Sequence, residues 1–326
     1  MPSEQLQTPP RVSASDIPEI VIRGHDYEHT LGIAGVYGGI RLGYEVMRVQ
    51  DTFTGMVEAG QLEVCEFSLA NYITLRATGQ HWLTAIPIFP YRAFRHSLAV
   101  TRRDSALESL AELTGKRIGL DDYSMTAAVW FRGLLREEYG VDHRSITWVT
   151  RPKQRFPLPA GAAVEISDTD LEDLLCEGEI DAMLAFTLRD AHRPVSQRLL
   201  RPVLRNAQAE EQSYYERTSV YPIHHCVVIR NDALERNPAL ADTVYGAYTA
   251  AKARAYQRKL GTTLAPWGNA HWARAFELFG GDPLPYGLTP ANRAIAGRLA
   301  SHLQEQGFIE TLPDLVKLFA VPVNRL

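Results

Sequence analysis

Apolar positions along this chain switch between two periods. Short apolar or β-branched runs at 20–23, 44–49, 62–65, 83–88, 97–101, 116–120, 146–149, 182–186 and 221–230 have the length of buried strands. Between them, apolar residues recur at three- and four-residue spacing over 52–58, 69–79, 106–113, 125–139 and 169–176, which predicts helices. Gly79 and Gly140 stop two of these patterns, and Ser105 with Glu108 three residues on predicts a capping box for 106–113. The segment 151–163, RPKQRFPLPAGAA, carries three prolines and reads as a loop or lid. Beyond Pro238 the pattern is helical, over 239–260, 271–278 and 292–306.

Strands alternating with helices predict mostly parallel sheets flanked by helices, and two such blocks predict two α/β lobes. The run 97–101 leads out of the first block and 225–230 leads back. We therefore expect a two-strand hinge, with lobe I at 1–98 plus 231–326, lobe II at 99–230, and a ligand cleft between them.

Composition narrows the class. The 326 residues are 45% hydrophobic and 22% charged with a net charge of -4, which lacks the basic excess of a nucleic-acid-binding protein. No run of about eighteen apolar residues is present to span a membrane. Cys65, Cys176 and Cys226 are far apart and form no C-x-x-C pair, so neither a disulfide framework nor a structural zinc site is expected. The N-terminal stretch is polar, has no apolar export segment and reads as a frayed arm; a cytoplasmic protein is the expectation.

The densest chemistry lies in 85–97, AIPIFPYRAFRHS. Pro87 and Pro90 forbid a helix, so a strand running to 88 ends in a loop carrying Arg92, Arg95 and His96. At the carboxyl end of a strand these three face one carboxylate or phosphate; the alternative is that both arginines pair with surface acids. His25 and His29 have zinc-ligand spacing only on a helix, and Gly24 after the first strand argues for a cleft-lining loop instead. The glycines of 32–40 lack the order of a phosphate- or dinucleotide-binding loop, so no nucleotide cofactor is implied. Tyr123, Ser124 and Thr126 sit between a strand and a helix, where they serve an anion or simply cap the helix. Glu66 and Ser68 follow the third strand; the glutamate serves a ligand hydroxyl or a nearby arginine. His224 and His225, adjacent on a strand, point to opposite faces, so at most one reaches the cleft. Trp130, Trp148, Trp267 and Trp272 read as core.

Several motifs together resemble one family. They are Tyr27-Glu28-His29-Thr30; Glu66-Phe67-Ser68 with Tyr72; Ile86-Pro87-Ile88-Phe89-Pro90 followed by Arg92 and Phe94-Arg95-His96-Ser97; Gly115-Lys116-Arg117-Ile118-Gly119; Thr126-Ala127-Ala128-Val129-Trp130 with Arg132-Gly133; Gly178-Glu179-Ile180-Asp181-Ala182; Pro222 with His225; and Tyr286-Gly287-Leu288 with Asn292-Arg293. Over about 20–321 the chain resembles the 4,5-dihydroxyphthalate decarboxylases, a cytoplasmic branch of the type 2 periplasmic-binding-protein-like fold.

The resemblance implies non-oxidative, cofactor-independent decarboxylation of a hydroxylated, phthalate-like aromatic acid, such as 4,5-dihydroxyphthalate to protocatechuate. It implies that Arg92 and Arg95 clamp carboxylates, that His96 or His225 is the general acid, and that Glu66 or His29 assists ionisation of the phenol. Ser124 and Thr126 complete the anion site, with Tyr27, Ser68, Tyr91, Tyr123 and His224 lining the pocket. Two positions depart from the family pattern: Tyr91 replaces a small serine and His224 replaces a methionine. A non-catalytic binding protein for an aromatic carboxylate, or a lyase for a different acid, would use the same cleft. The residue types leave a divalent metal open, through His25, His29, Glu66, His96 and His225, and leave a homo-oligomer open.

Overall fold

The computed structural model describes residues 18–261 and 267–320, so the polar arm lies, up to residue 17, outside the described residues. The first sheet is built on β1 (Glu19–Gly24), whose Ile20 and Ile22 point into the core while the residues between them are more exposed. Its strand order is β2 (Gly35–Tyr37), β3 (Ile40–Val46), β1, β4 (Val64–Ser68), β12 (His225–Arg230), β5 (Leu83–Ile86). β4 is buried along its whole length as a central strand covered on both faces, and it carries the polar Glu66 and Ser68 into the interior with it. β3, β1 and β4 run parallel, while β12 enters antiparallel between β4 and β5.

The second sheet has the order β11 (Leu200–Pro202), β6 (Ala99–Arg102), β10 (Ala182–Leu184), β7 (Arg117–Leu120), β8 (Thr147–Thr150), β9 (Val164–Ile166). Strands β10, β7, β8 and β9 are parallel, and β6 and β11 close that edge antiparallel. The architecture is α/β with two mostly parallel sheets. The lobes are joined differently from the hinge of strands the sequence suggests. β6 lies wholly in the second sheet, and β12, which the sequence reading counts with the second lobe, is an interior strand of the first. The chain crosses between the sheets through 87–98 and 203–224. These segments meet at a bridge between Arg92 and Ile223, with the Ala93 N–H donating to the Pro222 carbonyl (3.2 Å) and the His224 N–H to the Tyr91 carbonyl (2.9 Å).

Helix α2 (Leu69–Ala77) begins directly at the end of β4 and α3 (Thr126–Tyr139) shortly after β7, so both helix starts lie at the carboxyl ends of strands and face each other. Gly140, at φ 65°, terminates α3 in the left-handed conformation that glycine adopts without strain. The capping box predicted at Ser105 and Glu108 forms instead at Ser109 and Glu112, opening a short 3-10 turn over Leu110–Leu113. Helix α9 (Pro290–Glu305) packs on both α2 and α3. A Cβ at Gly133 of α3 would lie 2.4 Å from His302 Nε2, so only glycine admits α9 at this distance. Arg132 Nε donates to Gln306 Oε1 (2.7 Å) and Arg298 pairs with Glu137 (2.6 Å), tightening the same junction.

The proline-rich segment 151–163 holds no regular structure and reaches across to the first lobe. Lys153 pairs with Glu58 (3.0 Å), Arg155 Nη1 donates to Asn71 Oδ1 (3.2 Å), and Phe156 meets Phe53 edge-on. Among the described residues, no helix is long and apolar enough to cross a membrane. Trp130 and Trp148 are core residues, whereas Trp267 is 77% exposed and Trp272 half-buried.

Candidate active site

Glu66 is the anchor of the site, and it lies within β4 rather than after it. Side chains two apart on a strand share a face, and residues paired across strands point the same way. Ser68 is opposite His225 in the β4–β12 register, so Glu66, Ser68 and His225 share one face at the carboxyl end of β4. The loop after β1 covers this face. Gly24 makes the approach possible, because a Cβ there would lie 2.6 Å from the Tyr44 hydroxyl and 3.1 Å from Glu66 Oε2. Residues 25–30 form turns held by Thr30, not a helix, so His25 and His29 do not have the geometry of a helical zinc pair.

The Glu66 carboxylate is fully buried and accepts three hydrogen bonds. His25 N–H reaches Oε2 (2.8 Å), while the Tyr27 hydroxyl (2.8 Å) and His225 Nδ1 (2.5 Å) reach Oε1. Burial works to raise its pKa, but the hydrogen bond and charge of His225, with the His25 amide and Tyr27 hydroxyl, outweigh this and hold it below the usual carboxylate range. Glu66 therefore reaches neither a ligand hydroxyl nor an arginine. It orients His225, whose Nδ1 carries the shared proton and whose Nε2 meets no partner among the described residues.

His29 is arranged the other way. Burial lowers its pKa, and its Nε2 lies 2.8 Å from the Pro90 carbonyl. A carbonyl only accepts, so Nε2 carries the proton and Nδ1 presents a lone pair. Tyr27 stacks between these groups: its ring lies 4.9 Å from that of His25, 5.1 Å from His29 and 5.8 Å from Tyr91. Burial, then Glu66, raises the Tyr27 pKa strongly, so its hydroxyl stays protonated as a donor.

The basic cluster of 92–96 is split three ways. Arg92 turns away from the cleft side chains into the fold, donating to the carbonyls of Tyr221 (3.3 Å) and Pro285 (3.1 Å) and to Asn292 Oδ1 (2.5 Å). It is a structural bolt and not a ligand clamp; burial pulls its pKa down to about 10. His96 is buried against Tyr214, Phe94 and Tyr139, and burial pushes its pKa down to about 4, so it is neutral and unsuited to donate a proton. Only Arg95 stays with the site. Its Nε donates to His224 Nε2 (2.9 Å), and its guanidinium carbon lies 5.6 Å from the centre of the Tyr91 ring and 5.3 Å from that of Phe186. No carboxylate among the described residues pairs with it.

At the meeting of the helix starts, Ser68 Oγ and Thr126 Oγ1 are 2.7 Å apart, and the Ala70 N–H donates to Thr126 Oγ1 (3.1 Å). Ser124 donates to Asp122 Oδ1 (2.6 Å) and accepts from Asn71 Nδ2 (3.3 Å). Tyr123 is not part of this cluster: its ring is buried against Trp148 and Phe308 with the Arg132 guanidinium 3.9 Å from its centre. The candidate metal set is likewise divided, since His96 lies in the apolar interior and the Glu66 oxygens are committed; no cluster of three or more metal-binding side chains occurs among the described residues. Sequence reasoning missed Arg155, Asn71 and Phe186. Phe186 showed only as a strand end, and nothing local in 151–163 marks Arg155 as the residue that crosses to Asn71.

A two-lobed α/β protein with a carboxylate-backed histidine, a second neutral histidine and an unpaired guanidinium around aromatic rings is a binding-protein-like fold equipped for acid–base chemistry. The fold is that of the aliphatic sulphonate binding protein SsuA of Escherichia coli, with a TM-score of 0.57 at 13% identity over 94% of this chain and 92% of that one. The family model described as a phosphonate ABC transporter periplasmic substrate-binding protein matches residues 36–156. The 4,5-dihydroxyphthalate decarboxylase of Comamonas testosteroni is 32% identical over 287 residues, 83% of this chain and 86% of that protein. That of Pseudomonas putida is 39% identical over 132 residues, 37% of this chain and 51% of its own length. The chain belongs to the 4,5-dihydroxyphthalate decarboxylase family, a family of carbon–carbon lyases.

Proposed function

We propose that this protein decarboxylates a hydroxylated phthalate, with 4,5-dihydroxyphthalate the first candidate and protocatechuate the product, and that it needs no cofactor. The observation that carries the reading is the Glu66–His225 pair, whose outer nitrogen Nε2 is open.

The substrate ring lies against Tyr27 and Tyr91, with the carboxylate it retains on Arg95. His29 Nδ1 takes the proton of the hydroxyl para to the departing carboxylate. Electron density then flows through the ring to the carbon bearing that carboxylate, which takes a proton from His225 Nε2. Glu66 stabilises the imidazolium before transfer and holds its tautomer afterwards. The carbon–carbon bond breaks, its electron pair restores the aromatic phenolate, and carbon dioxide leaves. The phenolate recovers its proton from His29 and His225 is reprotonated from solvent, so one proton is consumed per turnover. Neither imidazole has to change its buried partner.

The test is carbon dioxide release from 4,5-dihydroxyphthalate in D2O, which should leave one deuterium on the vacated ring carbon. His225→Gln should lower kcat by about a hundredfold or more, the scale of a lost general acid. Turnover within about threefold of the parent protein would remove His225 from the reaction. A second reading is non-catalytic binding of an aromatic acid, favoured by the fold shared with SsuA; an acid bound but never consumed would establish it. Cytoplasmic location is part of the proposal, because the expected substrate is a catabolic intermediate rather than a transported solute.

A further inference from the structure

We propose that His224 is a positioning residue: it aims Arg95, so that the site selects acids that keep one carboxylate after the other has left. The proposal rests on the decarboxylase reading of the same site.

Arg95 is the one buried arginine of the crossing segments whose guanidinium is not consumed by backbone carbonyls. Its side-chain contacts are with the Tyr91 side chain and with His224, to whose Nε2 the Arg95 Nε donates. A guanidinium is always protonated, so Nε donates and His224 accepts. The Ala93 carbonyl lies 3.0 Å from the same Nε2, and one ring nitrogen cannot both donate to it and accept from Arg95, so the Arg95 bond requires the His224 proton to be on Nδ1. His224 is held neutral for the role: burial, then the Arg95 and His225 charges, keep its pKa well below the ordinary imidazole value. Fixing Nε restrains the plane of the guanidinium, which lies between the Tyr91 and Phe186 rings. A flat, bidentate donor suits a carboxylate better than any monodentate group.

The placement of His224 makes this aim independent of the second lobe. Its N–H donates to the Tyr91 carbonyl (2.9 Å), and its carbonyl accepts the first amide of α2, that of Leu69 (2.9 Å). His224, Tyr91 and Arg95 therefore form one rigid group attached to the first sheet. Phe186, from the second lobe, supplies only the opposite wall. Tyr91 also places the clamp relative to the acid, because its ring centre is 5.1 Å from that of His225 and 5.6 Å from the Arg95 guanidinium carbon. A ring stacked against Tyr91 therefore lies near both groups.

The experiment compares protocatechuate, which keeps the carboxylate, with catechol, the same ring without it, by calorimetric binding to the parent protein, His224→Leu and His224→Gln. Neither ligand can be decarboxylated by loss of a second carboxylate, so the measurement is independent of turnover. His224→Leu should weaken protocatechuate about tenfold or more and leave catechol unchanged, with His224→Gln, whose amide oxygen also accepts from Nε, close to the parent protein. With 4,5-dihydroxyphthalate the leucine variant should raise KM by the same factor while kcat changes less than about threefold. An unchanged protocatechuate-to-catechol ratio in His224→Leu overturns the proposal. An equal loss of both ligands also overturns it, showing a structural role only, as does a glutamine variant no better than leucine. Absence of carbon dioxide release by the parent protein would sink the decarboxylase reading while the binding ratio still decides the role of His224.

Discussion

Two pairs of groups, both deep in the protein, show what makes a histidine useful. At the cleft, His225 bonds a carboxylate whose other lone pairs are taken by Tyr27 and the His25 amide, and its second nitrogen is open. At the junction of the crossing segment with α9, His96 and His302 line a cavity of about 10 Å3 that Arg95 and Trp130 also border. His96 Nδ1 and both nitrogens of His302 have no hydrogen-bond partner there. Both sites bury imidazole; His302 has Glu137 (3.8 Å) and Glu305 (3.6 Å) only beyond hydrogen-bond reach, whereas His225 bonds a buried carboxylate directly. Burial without a direct hydrogen bond favours the neutral imidazole, while a direct bond to a carboxylate fixes the orientation of the ring and leaves its second nitrogen open.

The sharpest way to break this contrast is to exchange the chemistry at its two ends. Glu66→Gln should lower kcat by about a hundredfold or more, because the imidazolium loses its anion and its orientation. His96→Phe should leave kcat within about threefold, since the ring already behaves as an apolar body. Steady-state kinetics on 4,5-dihydroxyphthalate measures both, and a large loss in His96→Phe would end the distinction.

The two arginines give the next largest effect. Arg92→Leu should destabilise the protein by about 3 kcal/mol, since two carbonyls and the Asn292 oxygen lose their donor inside the fold. Arg95→Leu should leave stability within about 1 kcal/mol and weaken protocatechuate binding instead. Urea unfolding and calorimetry separate the two, and equal stability losses would contradict the division of labour.

The smallest effect is a pH dependence. Burial lowers the folded-state pKa of His96 to about 4, from an ordinary value near 6.5, with Glu138 raising and Arg217 lowering it slightly. The unfolded chain therefore binds the extra proton between these values. The contribution of His96 is present above about pH 6.5 and is lost as pH falls toward 4, on the order of 2–3 kcal/mol. Glu66 acts lower: its pKa lies below the unfolded value, so its contribution is lost only as pH falls through that depressed pKa. His29, His143, His224 and His302, also lowered by burial, share the first decline, so His96→Phe should reduce its slope in urea-melt stability without removing it and leave the second unchanged.

Much of the architecture is written in local patterns. β4 is legible in part, because Val64 and Cys65 extend the apolar run from 62, while the buried Glu66 and Ser68 at its end hide how far it continues; α3 is legible because its apolar face ends at Gly140. Helix α5 (Ala207–Thr218) is not, since AQAEEQSYYERT buries only Tyr214 and shows no apolar stripe. The capping box was ambiguous for a physical reason: the spacing occurs at both 105–108 and 109–112, and only burial of Leu110 and Leu113 decides between them. Arg92, Arg95 and His96 lie within five residues, yet their directions depend on Pro285, His224 and Tyr214, all far along the chain. Short spacing identifies candidates, but the partners that assign their roles are nonlocal.

The seating of α9 on both α2 and α3 has a mechanical consequence. Two linkers side by side define an axle, and a body held only there swings freely. A third tie placed away from the axle turns the swing into a stiff flexure, whose travel is limited by how far α9 slides over Gly133. Changes at the α9 seat, far from the ring-lined slot, would then alter how readily that slot opens.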